Sequence, residues 1–258
     1  MTIDITRPHI GRIYDYVLGG TQNYEADRIA AKAMLEIAPS YPHWARTNRS
    51  FLSFVGKRWA AAGLQRVLDL GSGLPTQGHF NEHLPSAKVL FADFDPLTVA
   101  QAQQLLAYTP DMAYANIDIK DPVALIEQAS TYFGADRCLG VGCIGVVYFL
   151  SDDEVRSLMK RLHAFCARGS VMALSFHTIP PGPSFEAANQ AVLAAVKHAR
   201  IDIYMRTPEQ MAELVLPWRV VSAKRIPDWL GSEEVTVPNV SSDDPMRHLE
   251  LFGVFAEH

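Results

Sequence analysis

The chain has 258 residues, of which 48% are hydrophobic and 20% charged, and its formal net charge is -5. This composition fits one large α/β domain with a substantial core, and it gives no reason to expect nucleic acid or an anionic membrane as a partner. Three irregularly spaced cysteines suit neither a disulfide framework nor a zinc site, and no signal segment or long apolar run is visible, so we expect a cytoplasmic protein without a metal.

Two helices are predicted near the amino terminus, over residues 10–18 and 24–35, because apolar residues recur there at helical spacing. The Gly19-Gly20 pair separates them. The alternative to a functional role is a plain helical hairpin with a C-cap glycine and solvated polar faces. Polar groups able to bind a ligand surround this break, namely Tyr14, Asp15, Tyr16, Asn23 and Asp27.

A long helix is predicted over residues 41–64, with Gly63 as its stop signal. Arg46, Asn48 and Arg49 lie within about one turn of it. We select Arg46 as a candidate for a ligand carboxylate, because a guanidinium offers a fixed fork of donors. Ordinary surface charge is the alternative interpretation. The apolar side of this helix carries Trp44, Phe51, Leu52, Val55 and Trp59.

The stretch from Val67 to Gly73 predicts a buried strand followed by a Gly-Ser-Gly turn, where a ligand can touch bare backbone. The next apolar strand ends in Asp93 and Asp95, at the place where an open α/β sheet puts a carboxylate for ribose hydroxyls. A glycine-rich turn followed by an acidic strand end predicts a binding site for an adenosine-type nucleotide. Thr76 occupies the position of the third glycine of the dinucleotide fingerprint, which disfavours a nicotinamide-dependent oxidoreductase. Plain turn-forming glycines are a further alternative.

Asp95 is also a plausible N-cap for a helix over residues 96–107. A third strand over residues 112–118 ends in Asp118, an acid that could equally cap the helix starting near Asp121. The fourth strand and its exit, residues 138–150, are apolar almost throughout, as expected for a central parallel strand. His177 stands at the carboxyl end of the fifth strand, residues 170–178, where it is a candidate for substrate contact or general base.

The remaining third begins with a rigid proline-rich run over residues 180–183. Helices are predicted over residues 184–199 and 208–216. Alternating segments over residues 218–226 and 249–257 suit an antiparallel edge pair on a mostly parallel sheet. The connection between them, residues 227–248, is long enough to be a functional loop or disordered.

A family resemblance accompanies these patterns. The turn at Asp69 to Gly73 and the acidic end of the second strand resemble the first two motifs of Rossmann-like S-adenosylmethionine-dependent methyltransferases. The amino terminus is similar to the opening of one such family, abundant in actinomycetes and long catalogued as a domain of unknown function. This chain carries the family's pattern as Arg7-Pro8-His9, Arg12, Tyr14-Asp15-Tyr16, Leu18-Gly19-Gly20, Asn23-Tyr24 and Ala26-Asp27-Arg28.

The chain also departs from that family. Tyr148-Phe149-Leu150-Ser151 replaces a His-Phe pattern after the fourth strand, and Ser175-Phe176-His177 replaces Ser-His-Ala after the fifth. The carboxyl-terminal third matches only loosely. These departures predict a different or larger substrate pocket.

The resemblance implies an α/β, Rossmann-like class I methyltransferase fold: a mostly parallel seven-stranded sheet with an antiparallel C-terminal pair and a helical N-terminal lid. We expect the lid over residues 1–64 and the cofactor-binding domain over residues 65–258, with residues 178–248 on the substrate side. The resemblance further implies that Asp118 reads the adenine amino group and that the amide of Ile119 meets a ring nitrogen.

We therefore predict a methyltransferase that uses S-adenosyl-L-methionine on a small-molecule acceptor, with a homodimer as one candidate assembly. The alternatives are an NAD(P)-dependent oxidoreductase and a noncatalytic S-adenosylmethionine-binding regulatory protein. His177 is the first candidate base, followed by Tyr14, Asp15 and Tyr16. The predicted cofactor-binding residues are Gly71, Ser72, Gly73, Asp93, Phe94, Asp95, Asp118, Ile119, Arg46 and Asn23.

Overall fold

A single mixed sheet organises the chain in a computed structural model that describes residues 5–75, 78–107, 109–178, 190, 202–231, 241, 244, 246 and 249–258. The sheet has seven strands in the order β3-β2-β1-β4-β5-β7-β6. β1 to β5 pair in parallel, whereas β7 runs antiparallel to both β5 and β6. The predicted fold class is confirmed. The strands are β1 Arg66–Leu70, β2 Lys88–Asp93, β3 Met112–Asn116, β4 Gly140–Cys143, β5 Val171–Thr178, β6 Arg219–Arg225 and β7 Glu250–Glu257.

Helices cover both faces of this sheet, and the central strands are therefore apolar on both sides. β4 is buried along its whole length, and β1 is buried after its first residue. The described helices are α1 Ile10–Val17, α2 Glu25–Ile37, α3 Tyr41–Ala61, α4 Phe80–His83, α5 Pro96–Leu105, α6 Pro122–Phe133, α7 Asp152–Phe165, α8 Pro208–Leu214 and α9 Ile226–Leu230.

The core consists of two large layers and one small cluster. α6, α7 and α8 pack on one face of the sheet, and α3, α4, α5 and α9 pack on the other. A separate small cluster joins α1 to α2 and α3 through Ile13, Val17, Ala31 and Ala45. The long helix α3 thus belongs to the main core. By contrast, α1 and α2 form an outer hairpin that buries few apolar side chains of its own.

A buried ionic network holds this α1–α2 hairpin on the sheet. Arg12 is only 2% exposed, and its guanidinium donates to Asp27 Oδ2 at 2.9 Å and to Asp95 Oδ2 at 3.0 Å. Asp27 also accepts the backbone N–H groups of His9 and Tyr24. Since Asp95 lies just beyond β2, the network joins the hairpin to the carboxyl edge of the sheet.

Several predicted boundaries were wrong. α3 ends at Ala61 rather than residue 64, and β3 ends at Asn116, so that Asp118 lies outside the strand. The apolar run after β4 is not strand, because Gly145 adopts φ +78° and the chain then forms a single 3-10 turn over Val147–Phe149. The predicted features at residues 180–183, at 184–199 except residue 190, and over most of the 227–248 connection lie outside the described residues.

The buried network predicts a large asymmetry between two arginine substitutions. Arg12→Met leaves two buried carboxylates without their cation, so we expect the free energy of unfolding to fall by about 3–5 kcal/mol. Arg156→Met removes only an exposed partner of Asp153 and should cost under about 1 kcal/mol. Urea denaturation of the two variants measures the difference, and equal losses would contradict the role assigned to Arg12.

Candidate functional site

A cavity of about 1000 Å³, its open mouth included, lies at the carboxyl edge of the sheet. It sits where β1 neighbours β4, the point at which the strand order reverses and open α/β sheets place their ligands. The α1–α2 hairpin, α3 and the segments after β1, β2, β3 and β4 all contribute to its wall. The residues that line the cavity include His9, Tyr14, Asp15, Tyr41, Asn48, Arg49, Asp69, Gly71, Ser72, Gly73, Asp93, Phe94, Ile117, Ile119, Gly145, Val146, Tyr148 and Phe149.

The turn after β1 requires its glycines. Gly71 adopts φ +62°, and a Cβ added to it would lie 2.4 Å from Cγ2 of Val146. Gly73 adopts φ +63°, but a Cβ there would meet nothing within 4 Å, so its backbone faces open space that a ligand can enter. The Ser72 hydroxyl donates to the Asp69 carbonyl at 2.8 Å and thereby fixes the turn.

Asp93 is held at the end of β2 by two backbone donors. Gly73 N–H donates to its Oδ2 at 2.9 Å and Asp95 N–H donates to its Oδ1 at 3.0 Å. Each carboxylate oxygen keeps a further lone pair, so the group can still accept from a ligand hydroxyl. Burial raises the pKa of the Asp93 carboxyl.

The second acid of this strand end has a structural role. Asp95 does not line the cavity. Its Oδ2 accepts from Arg12 and from both the backbone N–H and the hydroxyl of Thr98, so that it caps α5 and anchors the α1–α2 hairpin. The prediction that Asp95 binds the ligand directly is corrected: the residue does not line the cavity, and its Oδ2 serves protein partners.

On α3 the structure favours Arg49 over the predicted Arg46. Arg46 is exposed, whereas Arg49 lines the cavity. The Nε and Nη1 of Arg49 are buried and have no hydrogen-bond partner, and the same is true of Asp69 Oδ2 at the end of β1. Buried charged groups are rarely left unpaired. A ligand carrying both a carboxylate and an ammonium would supply hydrogen-bond partners for both side chains, the carboxylate for Arg49 and the ammonium for Asp69.

Asp118 is not part of the cavity wall, contrary to the prediction. Its side chain is exposed, and its Oδ1 accepts the N–H of Lys120 at 2.9 Å. The neighbouring Ile117 and Ile119 do line the cavity, as does Phe94, which is 55% exposed and packs against His9 with 5.0 Å between ring centroids. This end of the cavity is an apolar slot.

Of the predicted residues on the α1–α2 hairpin, Tyr14 and Asp15 line the cavity, while Tyr16 and Asn23 do not. The Tyr14 hydroxyl donates to the carbonyl of Ala45 at 2.8 Å. Asp15 Oδ2 accepts from the Gln22 N–H and from Asn23 Nδ2. Asp15 and Asn23 therefore hold the Gly-Gly loop in shape, which corrects the role predicted for Asn23.

His177 is buried behind the cavity wall rather than in it. Its ring stacks on Tyr148, with 4.2 Å between centroids and 19° between planes, and Tyr148 lines the cavity. Burial lowers the pKa of His177 to about 3. A group with so low a pKa is a weak base, and His177 is not among the residues that line the cavity, so the predicted catalytic role is corrected.

Sequence reasoning missed Asp69, His9 and Tyr41 as cavity residues, and of the three neighbouring residues Arg46, Asn48 and Arg49 it selected Arg46. A helical projection would have separated the arginines, because Arg49 flanks the buried stripe of α3 and Arg46 lies opposite it. Asp69 could have been found from its place at the end of β1. Nothing in the local pattern marks Tyr41.

A protein-family model described as S-adenosyl methyltransferase matches residues 1–237. The chain belongs to the S-adenosyl methyltransferase family. The family prediction is confirmed, and with it the enzyme class and the cofactor: this is an S-adenosylmethionine-dependent methyltransferase. No curated protein matches the sequence.

Solved structures agree with the family assignment. A protein from Thermobifida fusca assigned as a methyltransferase is 25% identical, with a TM-score of 0.83 over 98% of this chain and 96% of that chain. A DUF574 family protein from Streptomyces avermitilis is 26% identical, with a TM-score of 0.81 over 98% of each chain. Magnesium protoporphyrin IX methyltransferase from Synechocystis, with bound S-adenosylhomocysteine, is 13% identical at a TM-score of 0.53, covers 95% of this chain and 93% of that chain, and shares the fold.

No helix among the described residues of the chain is long and apolar enough to span a membrane. The described residues also contain no cluster of metal-ligating side chains.

The burial of His177 gives a spectroscopic prediction. Because its pKa lies near 3 instead of near 6.5, its ring should stay neutral from pH 5 to pH 8. Carbon-13 NMR of histidine-labelled protein, with the resonance assigned by its loss in His177→Phe, should show no titration across that range. A midpoint between pH 6 and 7 would restore His177 as a candidate base.

Proposed function

We propose that the cavity at the β1–β4 switch point binds S-adenosylmethionine and that the enzyme methylates a small-molecule acceptor. The bound cofactor supplies an activated methyl group on a sulfonium. The protein must then hold the two partners in line and exclude water. The observation that carries the proposal is that buried atoms of Arg49 (Nε, Nη1) and Asp69 (Oδ2) have no hydrogen-bond partner beside a turn of bare backbone. Asp69 Oδ2 lies 3.8 Å from Nδ1 of the buried His79, which is beyond hydrogen-bond distance.

The methionyl end of the cofactor fits this pair. An amino acid moiety presents one carboxylate and one ammonium, and the cavity offers one guanidinium and one carboxylate with unused hydrogen-bonding atoms. The guanidinium of Arg49 also lies 5.5 Å from the ring centroid of Tyr14, which restricts its position. We assign Arg49 to the methionyl carboxylate and Asp69 to the ammonium.

The adenosine end fits the neighbouring strand ends. Asp93 keeps lone pairs for the ribose hydroxyls, with Gly71, Ser72 and Gly73 along the chain that joins ribose to methionine. Ile117, Ile119 and Phe94 form an apolar slot suited to a flat ring. This assignment keeps six of the cofactor-binding residues predicted from the sequence, with Phe94 and Ile119 as packing contacts.

A small acceptor fits the way the cavity is covered. The α1–α2 hairpin contributes His9, Tyr14 and Asp15 to the wall, so the reaction site lies under it rather than on an open face. The net charge of -5 offers no attraction to a polyanion. We retain the amino-terminal helices as a lid and place its cavity-covering part in the hairpin, because α3 packs into the main core.

The first test is calorimetric titration with S-adenosylmethionine, S-adenosylhomocysteine and NAD. Saturable binding of the first two alone supports the assignment of this cavity. Selective binding of NAD, or no binding of any of the three, would overturn it.

Arg49 and Arg46 provide a matched pair for locating the methionyl end. Arg49→Met should weaken S-adenosylhomocysteine binding by about 1.5–3 kcal/mol, the scale for a charged hydrogen bond. Arg46→Met, on the exposed side of the same helix, should leave the affinity unchanged. Calorimetry gives the affinity of each variant. Loss of affinity in the Arg46 variant alone would show that the methionyl carboxylate binds on the opposite face of α3.

Asp69 predicts a pH dependence of cofactor binding. Burial raises the pKa of its carboxyl to about 7, so in the free protein it is largely protonated at pH 6 and ionised at pH 8. A bound ammonium favours the ionised form, and binding must therefore release a proton at low pH. S-adenosylhomocysteine should bind about tenfold more tightly at pH 8 than at pH 6.

The matched variant is Asp69→Asn, which cannot ionise. Its affinity should be nearly constant between pH 6 and pH 8 and close to that of the unsubstituted protein at pH 6. A pH dependence that survives in this variant would show that another group controls it.

A further inference from the structure

We propose that Asn48, oriented by Ser175, is a specificity-determining residue that donates a hydrogen bond to an oxygen of the methyl acceptor. The inference rests on the proposed function, because it assumes that S-adenosylmethionine occupies the adjoining part of the cavity. It assigns the acceptor a chemical class: an aromatic metabolite with an acidic, phenol-type hydroxyl. The residues around the proposed contact are Tyr14, Tyr41, Asn48, Gly145, Tyr148 and Phe149, which we call the acceptor pocket.

Hydrogen bonds beneath the cavity fix the orientation of the Asn48 amide. The backbone N–H of Gly145 donates to Ser175 Oγ at 2.8 Å, so the Ser175 proton is free to donate elsewhere. Ser175 Oγ donates that proton to Asn48 Oδ1 at 2.6 Å. The oxygen of the amide is thereby held toward β5, and Nδ2, with its two protons, must point the other way.

The amide nitrogen lies directly over Gly145. A Cβ added to Gly145 would be 2.5 Å from Asn48 Nδ2 and 3.8 Å from the Tyr148 hydroxyl. Gly145 also adopts φ +78°, so an L side chain is disfavoured there for two reasons. The glycine thus leaves room for an amide donor and a hydroxyl at the tip of β4.

This amide nitrogen has no protein acceptor within the part of the chain that the structure describes, although Asn48 is only 7% exposed and lines the cavity. The nitrogen itself is not fully buried and can be reached from the cavity, where an amide donor is normally satisfied by a partner. The geometry therefore points to a ligand oxygen as its partner. Arg49, on the adjacent side of α3, already has the methionyl carboxylate as its proposed ligand.

The rest of the acceptor pocket is aromatic and uncharged. Burial raises the pKa of both Tyr41 and Tyr148, so these hydroxyls keep their protons at neutral pH. The Tyr14 hydroxyl is committed to the Ala45 carbonyl. Tyr148 is backed by the neutral ring of His177. The pocket offers flat apolar walls and neutral donors.

None of the six acceptor-pocket side chains is a base at neutral pH. Asp15 and His9 also line the cavity, but Asp15 Oδ2 holds the Gly-Gly loop and His9 packs against Phe94 at the apolar slot. We therefore take the acceptor to arrive with its nucleophilic oxygen already ionised, which an acidic phenol does by releasing its proton to solvent. The new O–C bond forms as the S–C bond breaks, and the charges of phenolate and sulfonium cancel to give a methyl ether and a thioether. A neutral donor such as Asn48 orients a phenolate without protonating it.

The test uses the complete chain saturated with S-adenosylhomocysteine and probed at pH 8 with 4-nitrophenol, whose absorbance reports binding of the anion. We expect saturable binding of 4-nitrophenol and none of benzylamine, a cationic ring of similar size. Asn48→Ala and Asn48→Asp should weaken 4-nitrophenol binding about tenfold or more, with the aspartate variant weaker because it repels the anion. Both should keep their affinity for S-adenosylhomocysteine.

Ser175→Ala tests the orienting role from a side chain that does not itself line the cavity, although it also removes the acceptor of the Gly145 N–H. It frees the amide to rotate and should weaken 4-nitrophenol binding several-fold, whereas Ser222→Ala on the edge strand β6 should have no effect. Equal losses of 4-nitrophenol and S-adenosylhomocysteine in the Asn48 variants would place Asn48 in the cofactor site and overturn the inference. Equal binding of benzylamine, or no binding of 4-nitrophenol to the S-adenosylhomocysteine complex, would overturn the acceptor class. Failure of S-adenosylhomocysteine itself to bind would instead refute the proposed function.

Discussion

One guanidinium determines where the amino-terminal helices sit. Arg12 is buried between the carboxylates of Asp27 and Asp95, and a charge at that depth is tolerated only with both partners in place. The α1–α2 hairpin has a small apolar cluster, so the ionic contact rather than hydrophobic area specifies its position. Because Asp95 follows Asp93 by two residues, that position is next to Asp93 at the edge of the cavity, and the wall formed by His9 and Tyr14 depends on it.

The sheet, and the meeting of the Gly-Ser-Gly turn with Asp93, could be predicted because they follow from chain connectivity. Parallel strands end at one edge, so a Gly-Ser-Gly turn after β1 and an acid after β2 must meet there. Asp93 and Gly73 are indeed hydrogen-bonded to each other. The antiparallel pairing of β7 also followed from the alternating pattern of the last two strands.

The remaining site residues depend on how elements pack, which local sequence does not contain. Arg46 and Arg49 are the same residue type on one helix, and they differ only in their position relative to the apolar stripe by which α3 docks on the sheet. Asp118 has the right spacing for an adenine contact, yet β3 ends at Asn116 and the acid turns to solvent. His177 is at the predicted strand end, but Tyr148, brought in by a 3-10 turn, lies between it and the cavity.

The contact between Gly71 and Val146 limits how enzymes of this architecture can diverge. The segment after β4 touches the cofactor turn so closely that a methyl group does not fit between them. A larger side chain at position 146 would therefore displace the cofactor turn before it reshaped the acceptor pocket. New acceptor preferences should arise at Tyr41 and Phe149, which border the cavity and are not among the side chains that crowd the glycines of this turn. Evolutionary change in substrate choice is thus directed to one side of the cavity, while the side next to the cofactor stays fixed.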